Sequence, residues 1–278
     1  MISHFTGAIV RALLVMILVA TPSLMLPSVP SDTTQIVALI AIFAAALTFF
    51  EYVSTYPGLV EFRDAPPFNR IRFLSLFTMV LLLSAVVRGQ TEPTTMTALI
   101  EALGNKLGEA IDVPFSPVRL VVLMLPEDMS LQHLVMVRTT AGISYVLSMV
   151  TLIIFVLTLR ALGWPNRMGS FNVWINLPTF DPTTGGDVVE RLKRDSRFNI
   201  ILGILLPFLI PLAVRLAAMA FSPITLESPQ TLIWTMTAWA FLPASLFMRG
   251  IAMGRIAGMI ERKRRLSHVA TGAELLPA

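Results

Sequence analysis

Six apolar runs, at about residues 8–26, 35–53, 71–87, 139–159, 198–221 and 231–249, dominate this chain, and the central part of each lacks Asp, Glu, Lys and Arg. A helix of about 20 apolar residues spans the ~30 Å hydrocarbon core of a bilayer. Lipid offers no hydrogen bonds, so a crossing segment must satisfy its backbone internally, as a helix or within a closed barrel. Barrel strands alternate apolar and polar side chains, and these runs do not. The sequence predicts an all-α integral membrane protein with about six transmembrane helices, residues 1–278 forming one polytopic domain. A content of 55% hydrophobic against 14% charged residues excludes an ordinary soluble domain. The stretch Val118 to Leu125, between Pro117 and Pro126, is too short to cross and is expected to lie in the interface or pack on protein.

Basic residues set the expected orientation. Fifteen of the 21 fall in three segments: Arg63, Arg70 and Arg72; Arg160 to Arg197; and Arg249 to Arg265. The alternate segments hold Arg88, Lys106 and Arg119, while Arg11, Arg138 and Arg215 sit near span ends, where they can snorkel to water. Positive charge marks the cytoplasmic side, so both termini are expected there, in a bacterial inner membrane. A cleavable leader is the competing reading of residues 1–26, disfavoured by a basic region of one arginine, Arg11.

Between the third and fourth spans, residues 88–132 form the external segment, with six carboxylates against three basic groups. Met96, Leu99, Ile100, Leu103, Leu107 and Ile111 recur at helical spacing, opposite Glu101, Asn105, Lys106 and Glu109. They predict an amphipathic helix on the bilayer or capping the bundle, with Pro93 in its first turn. The cytoplasmic loop, residues 160–197, is expected to be mixed. Phe171, Val173, Ile175 and Leu177 alternate as in a strand, residues 181–186 read as a turn, and Asp187 with Glu190 makes a capping box before a helix. Trp164, Trp174 and Trp234 are expected in interfacial belts, and Trp239 deeper.

Chemistry-bearing patterns are sparse. The chain has no cysteine, which excludes disulfides, thiolate catalysis and cysteine-bound metals, and its three histidines, His4, His133 and His268, are scattered. No zincin, nucleophile-elbow, P-loop or dinucleotide fingerprint occurs, nothing resembles a nucleic-acid module, and no cofactor is expected. The best catalytic candidates are Glu51, Glu61 and Asp64 facing Asp181, Asp187, Glu190 and the loop arginines, a set that suits salt bridging as well as metal-assisted lipid chemistry. Pro207 and Pro211, one turn apart, release the carbonyls of Gly203 and Pro207, for a hinge or an ion. Gly250, Gly254 and Gly258 let another helix approach, from the same bundle or another subunit. Arg262, Lys263, Arg264 and Arg265 open the basic tail, residues 250–278, and suit anionic headgroups. The leading expectation is a non-catalytic accessory or assembly subunit whose partners are the bilayer and other membrane proteins. The alternatives are a carrier or channel for a small or lipidic solute and, below that, a lipid-modifying enzyme at the cytoplasmic face.

Overall fold

Each apolar run becomes a helix in the computed structural model, which describes residues 2–27, 29–165, 172–180, 185–221 and 225–274. The spans are α1 (Ile2–Met25), α2 (Ser31–Val53), α3 (Phe68–Gly89), α6 (Leu131–Ala161), α8 (Val188–Ala220) and α9 (Pro229–Glu274). The shorter helices are α4 (Thr95–Ile111), α5 (Pro117–Leu123) and α7 (Val173–Asn176). Six helices are long and apolar enough to cross a membrane. The protein is an all-α multi-pass membrane protein. At 1.5 Å per residue α6, α8 and α9 run to about 46, 50 and 69 Å, so they project beyond a ~30 Å core. The face that receives the end of α2, the start of α3 and the projecting parts of α8 and α9 is called the basic face below.

Three helices, α3, α6 and α9, pack on one another at the centre. Outside them α8 lies along α9, α4 crosses α6 and α3, and α5 wedges between α6 and α8. On the other flank α1 packs on α3 and touches α9, and among the helices only α1 packs on α2. The α1–α2 hairpin therefore hangs on the bundle through one helix.

Two apolar cores fill the central trio. One, towards the face opposite the basic one, gathers Met79, Leu83, Val137, Ile233 and Met236 with Val118 and Val121 of α5. The other gathers Phe62, Phe68, Phe155, Trp164, Leu192, Met248 and Ile256 at the basic face. Between them a hydroxyl layer is satisfied within the bundle: Ser75 and Thr151 hydrogen-bond at 2.6 Å and Ser148 donates to the Ala240 carbonyl at 3.0 Å. Trp164 is 2% exposed, so it anchors a core instead of joining an interfacial belt. Its ring meets Phe62 edge-on, which binds loop and bundle together.

Close helix contacts fall where glycines occur. A Cβ on Gly250 would sit 2.7 Å from the Ser196 carbonyl oxygen of α8, one on Gly254 2.8 Å from Ser196 Oγ, and one on Gly258 would meet nothing within 4 Å. Gly203 of α8 lies equally close to the Pro243 carbonyl of α9. The α8 prolines meet the same partner, for Trp239 Nε1 donates to the Pro207 carbonyl at 3.0 Å in a buried setting. Pro211 cannot donate to that carbonyl, and the indole takes the vacancy. It is therefore a helix–helix tie and not an open ion ligand.

Several local expectations are corrected. Val173–Asn176 is one helical turn, and among the described residues there is no strand. A lone strand would have no ladder for its backbone, whereas the turn closes its own bonds, Asn176 N–H donating to the Asn172 carbonyl. Of the expected turn at 181–186, residues 181–184 lie outside the described residues, as do the side chains of Trp174, His4 and His268. Pro93 precedes α4, which starts after Thr94, whose hydroxyl and that of Thr97 cap each other's backbone N–H. The stripe Met96, Leu99, Leu103 and Leu107 points away from the bundle at 65, 55, 55 and 39% exposure. Thr97, Gly104 and Gly108 make the buried face, because a Cβ on Gly142 of α6 would come within 2.6 Å of Gly108 Cα. Met96, Leu99, Leu103 and Leu107 cannot fit so near an approaching backbone and turn outward, while Ile100 and Ile111 of the same stripe pack on the core.

The indole tie gives a double-mutant test. Trp239→Phe should cost about 1–2 kcal/mol by stranding the Pro207 carbonyl. In a Pro211→Ala background the backbone N–H gained at position 211 can serve that carbonyl, so the same change should cost clearly less. Unfolding in micelles measures both, and equal losses would show that the bond contributes nothing.

Candidate functional site

At the basic face the α2–α3 loop is built as a clamp. Glu51 accepts from the backbone N–H groups of Gly58, Leu59 and Val60 at 2.9–3.1 Å. Arg63 reaches back to the Ser54 and Glu51 carbonyls at 2.5 and 3.0 Å. Phe62 then adopts a left-handed backbone, φ 53°, a conformation that costs a non-glycine residue about 1–3 kcal/mol. Complete burial of its ring offsets that cost, as do the bonds to Asn176, whose carbonyl accepts from Phe62 N–H at 2.7 Å and whose side chain accepts from Asp64 N–H at 3.1 Å. Asn69 Nδ2 donates to the Glu61 carbonyl at 2.8 Å. Glu61 is thereby aimed inward.

Its carboxylate meets Arg249 of α9 in a two-pronged ion pair, Nε to Oε2 at 2.6 Å and Nη2 to Oε1 at 2.8 Å. Arg249 Nη1 also donates to Asn199 Oδ1 of α8 at 3.1 Å, and Thr179 Oγ1 donates to Glu61 Oε1 at 2.7 Å. The side chains are 25% and 12% exposed, so both charges are largely out of water. One guanidinium joins the α2–α3 loop, the loop before α8, α8 and α9.

Beside this pair a cavity of 510 Å³ opens between the α1–α2 hairpin and the central trio. Its polar end holds Arg11 of α1, Tyr52 of α2, and Asn69, Arg70 and Arg72 at the start of α3, with Glu61 and Thr179. Its apolar wall holds Leu14, Val15, Phe73, Leu76 and Phe241. Arg11 lies over the Tyr52 ring at 4.6 Å and Arg72 over the Phe68 ring at 5.3 Å. Arg72 Nε is buried without a hydrogen-bond partner. The nearest carboxylate, Glu61, reaches Arg72 through its field, with both oxygens already committed to Arg249 and Thr179. Guanidinium groups facing a cavity beside an apolar wall can hold an anion that carries hydrocarbon.

The expected catalytic set is not brought together. Glu51 caps a loop, Asp64 pairs with Arg63, and Asp187 both caps α8 through Val189 N–H and pairs with Arg264 at 2.6 Å. That guanidinium holds the Asp187 carboxyl below its usual range, against the opposing effect of burial. A carboxyl shifted down in the fold lends stability above its unfolded pKa, and that contribution fades as the pH falls through the lowered value. Asp181 lies outside the described residues, and no cluster of potential metal ligands occurs among those described. Of the basic tail, Arg264 pairs with Asp187 and Arg265 with Glu261, while Arg262 and Lys263 are exposed. Pro207 and Pro211 do not line the cavity.

In the sequence, Arg72 and Arg249 stand out only as orientation signals. A further signal is present there: Arg11, Arg72 and Arg249 each lie at, or within one turn of, the basic-face end of an apolar run, where a charge without a partner is costly. Matching them by depth brings them to one level. Comparison with protein-family models, with curated proteins and with solved structures finds no match.

Glu61 lies between Arg249 and Arg72, which fixes an order of mutational cost. Glu61→Gln strips Arg249 of its ion-pair partner and removes the carboxylate field at Arg72, and should destabilise by on the order of 3 kcal/mol. Arg249→Met should cost less, because Arg72 remains to face Glu61. Chemical unfolding in micelles checks the ranking, and the reverse order would mean that Arg72 and Glu61 do not share a field.

Proposed function

We propose that this protein is a membrane carrier that seats a small or lipidic solute in the cleft between the α1–α2 hairpin and the central trio. The observation that carries the reading is the cleft itself. Its 510 Å³ falls within the range of ligand sites, and its inner wall is the packed trio while its outer wall is a hairpin held through α1. A wall attached on one side can move without unpacking the core. Non-enzymatic action fits the candidate carboxylates Glu51, Glu61, Asp64 and Asp187, each engaged in a cap or an ion pair.

The accessory-subunit reading keeps a separate support. α9 continues as one helix to Glu274, and the exposed Arg262 and Lys263 stand on its projecting part. Gly250 and Gly254 serve it less well, since α8 already fills their face. By the positive-inside rule the basic face looks into the cytoplasm and both termini lie there, in the inner membrane of a bacterium.

Proteoliposomes carrying fluorescent lipids of several headgroups test the carrier reading, with translocation followed by quenching from outside. The protein should speed exchange of at least one lipid, and a thiol cross-link between Val15→Cys and Leu76→Cys, which line the cleft from α1 and α3, should slow it. Rates equal to those of protein-free vesicles for every lipid would refute the carrier.

A further inference from the structure

We infer that the solute is an anionic amphiphile, a hydrocarbon chain ending in a phosphate-bearing headgroup, with Arg11, Arg70 and Arg72 gripping the head. The inference rests on the cleft being the solute seat and adds the chemistry of what sits there. Charge is its first support. All three arginines line the cavity, and among the described residues none takes part in an ion pair with a carboxylate. The nearest carboxylate is neutralised by Arg249 through both of its oxygens. Of the three, Arg72 is largely buried while Arg11 and Arg70 are exposed, and a desolvated guanidinium without a carboxylate partner is a charge that an anion relieves.

The kind of anion follows from donors and depth. Arg72 lines the cleft, its buried Nε–H has no acceptor among the described residues, and its planar fork suits phosphate oxygens. A phosphate carries up to about two negative charges and several acceptor oxygens, where a fatty carboxylate brings about one charge and would leave the set strongly cationic. Arg70 and Arg72 lie in the first two turns of α3 and Arg11 between two and three turns into α1, and Leu14, Val15, Phe73, Leu76 and Phe241 form the apolar remainder of the cleft. A free hydrated phosphate would leave that wall unused, whereas a lipid phosphomonoester of the same leaflet meets head and wall together. In the tail Arg264 and Arg265 are engaged with Asp187 and Glu261, and the exposed Arg262 and Lys263 stand on the projecting part of α9, outside the cleft.

The test uses the full chain in nanodiscs of zwitterionic lipid with three probes: dioctanoyl phosphatidate, dioctanoylglycerol and inorganic phosphate. Phosphatidate should bind at least about tenfold more tightly than the glycerol, and Arg72→Gln and Arg70→Gln should each reduce its affinity by about tenfold. Arg70 is exposed and without an ion pair, so its variant keeps the test valid should Arg72→Gln fail to fold. Inorganic phosphate should not compete. If the glycerol binds equally and neither variant matters, the cleft remains a solute seat and the anionic inference falls. Competition by inorganic phosphate at equal concentration would also overturn it, in favour of a free-anion site. If neither lipid binds, both this inference and the cleft reading are contradicted.

Discussion

Arg249 and Glu61 form the contact on which the basic half of the molecule depends. A charge so far from water is tolerated only when paired and hydrogen-bonded, and this one engages Glu61, Asn199 and Thr179 at once. Helix α9 is thereby tied to α8 and to two loops that are distant in sequence. The left-handed turn at Phe62 has its reason here, since it aims Glu61 inward while burying its own ring beside Trp164. The pair also occupies the one carboxylate that could have neutralised Arg72. The same bond that fixes the fold leaves the cleft positively charged.

Rigidity is unevenly distributed as a consequence. The trio of α3, α6 and α9, with α8 alongside, is closed by glycine approaches, a hydroxyl layer and the indole bond to Pro207. The α1–α2 hairpin has fewer ties to the trio: the packing of α1, a hydrogen bond from Gln230 Nε2 of α9 to Ser23 Oγ at 2.8 Å, and the clamped α2–α3 loop. The cleft lies along the boundary between the two parts, where a movable wall faces a fixed one. Proline content alone points to α8 as the moving part, yet its freed Pro207 carbonyl is bonded to Trp239.

The spans and the helix start at Asp187 are legible in the sequence because they are local: an apolar run or a cap declares itself within a few residues. The site is not, because its parts are remote. Glu61 and Arg249 lie 188 positions apart, and Pro207 and Trp239 lie 32 apart. No periodicity connects such pairs. Of the strand expected at Phe171 to Leu177, Phe171 lies outside the described residues and Val173–Asn176 forms a helical turn, since so short a segment fits one helical turn as well as a strand when no partner strand is near. On α4 the hydrophobic stripe is plain in the sequence, but the buried face is decided by how near Gly108 comes to Gly142, which hydropathy does not register.

A cleft with a polar end enters between the α1–α2 hairpin and the trio, and the absence of cysteine from the chain allows it to be probed directly. Single cysteines at Thr48, which lines the cleft, and at Phe50, which is 67% exposed on the outer side of α2, can be challenged with a charged methanethiosulfonate. Phe50 is the nearer of the two to the basic-face end of α2, so depth alone would make it the more reactive. The account predicts the opposite, with rapid modification at position 48 and slow modification at position 50. Equal rates, or a faster reaction at position 50, would mean that lipid fills the gap and that no such cleft exists.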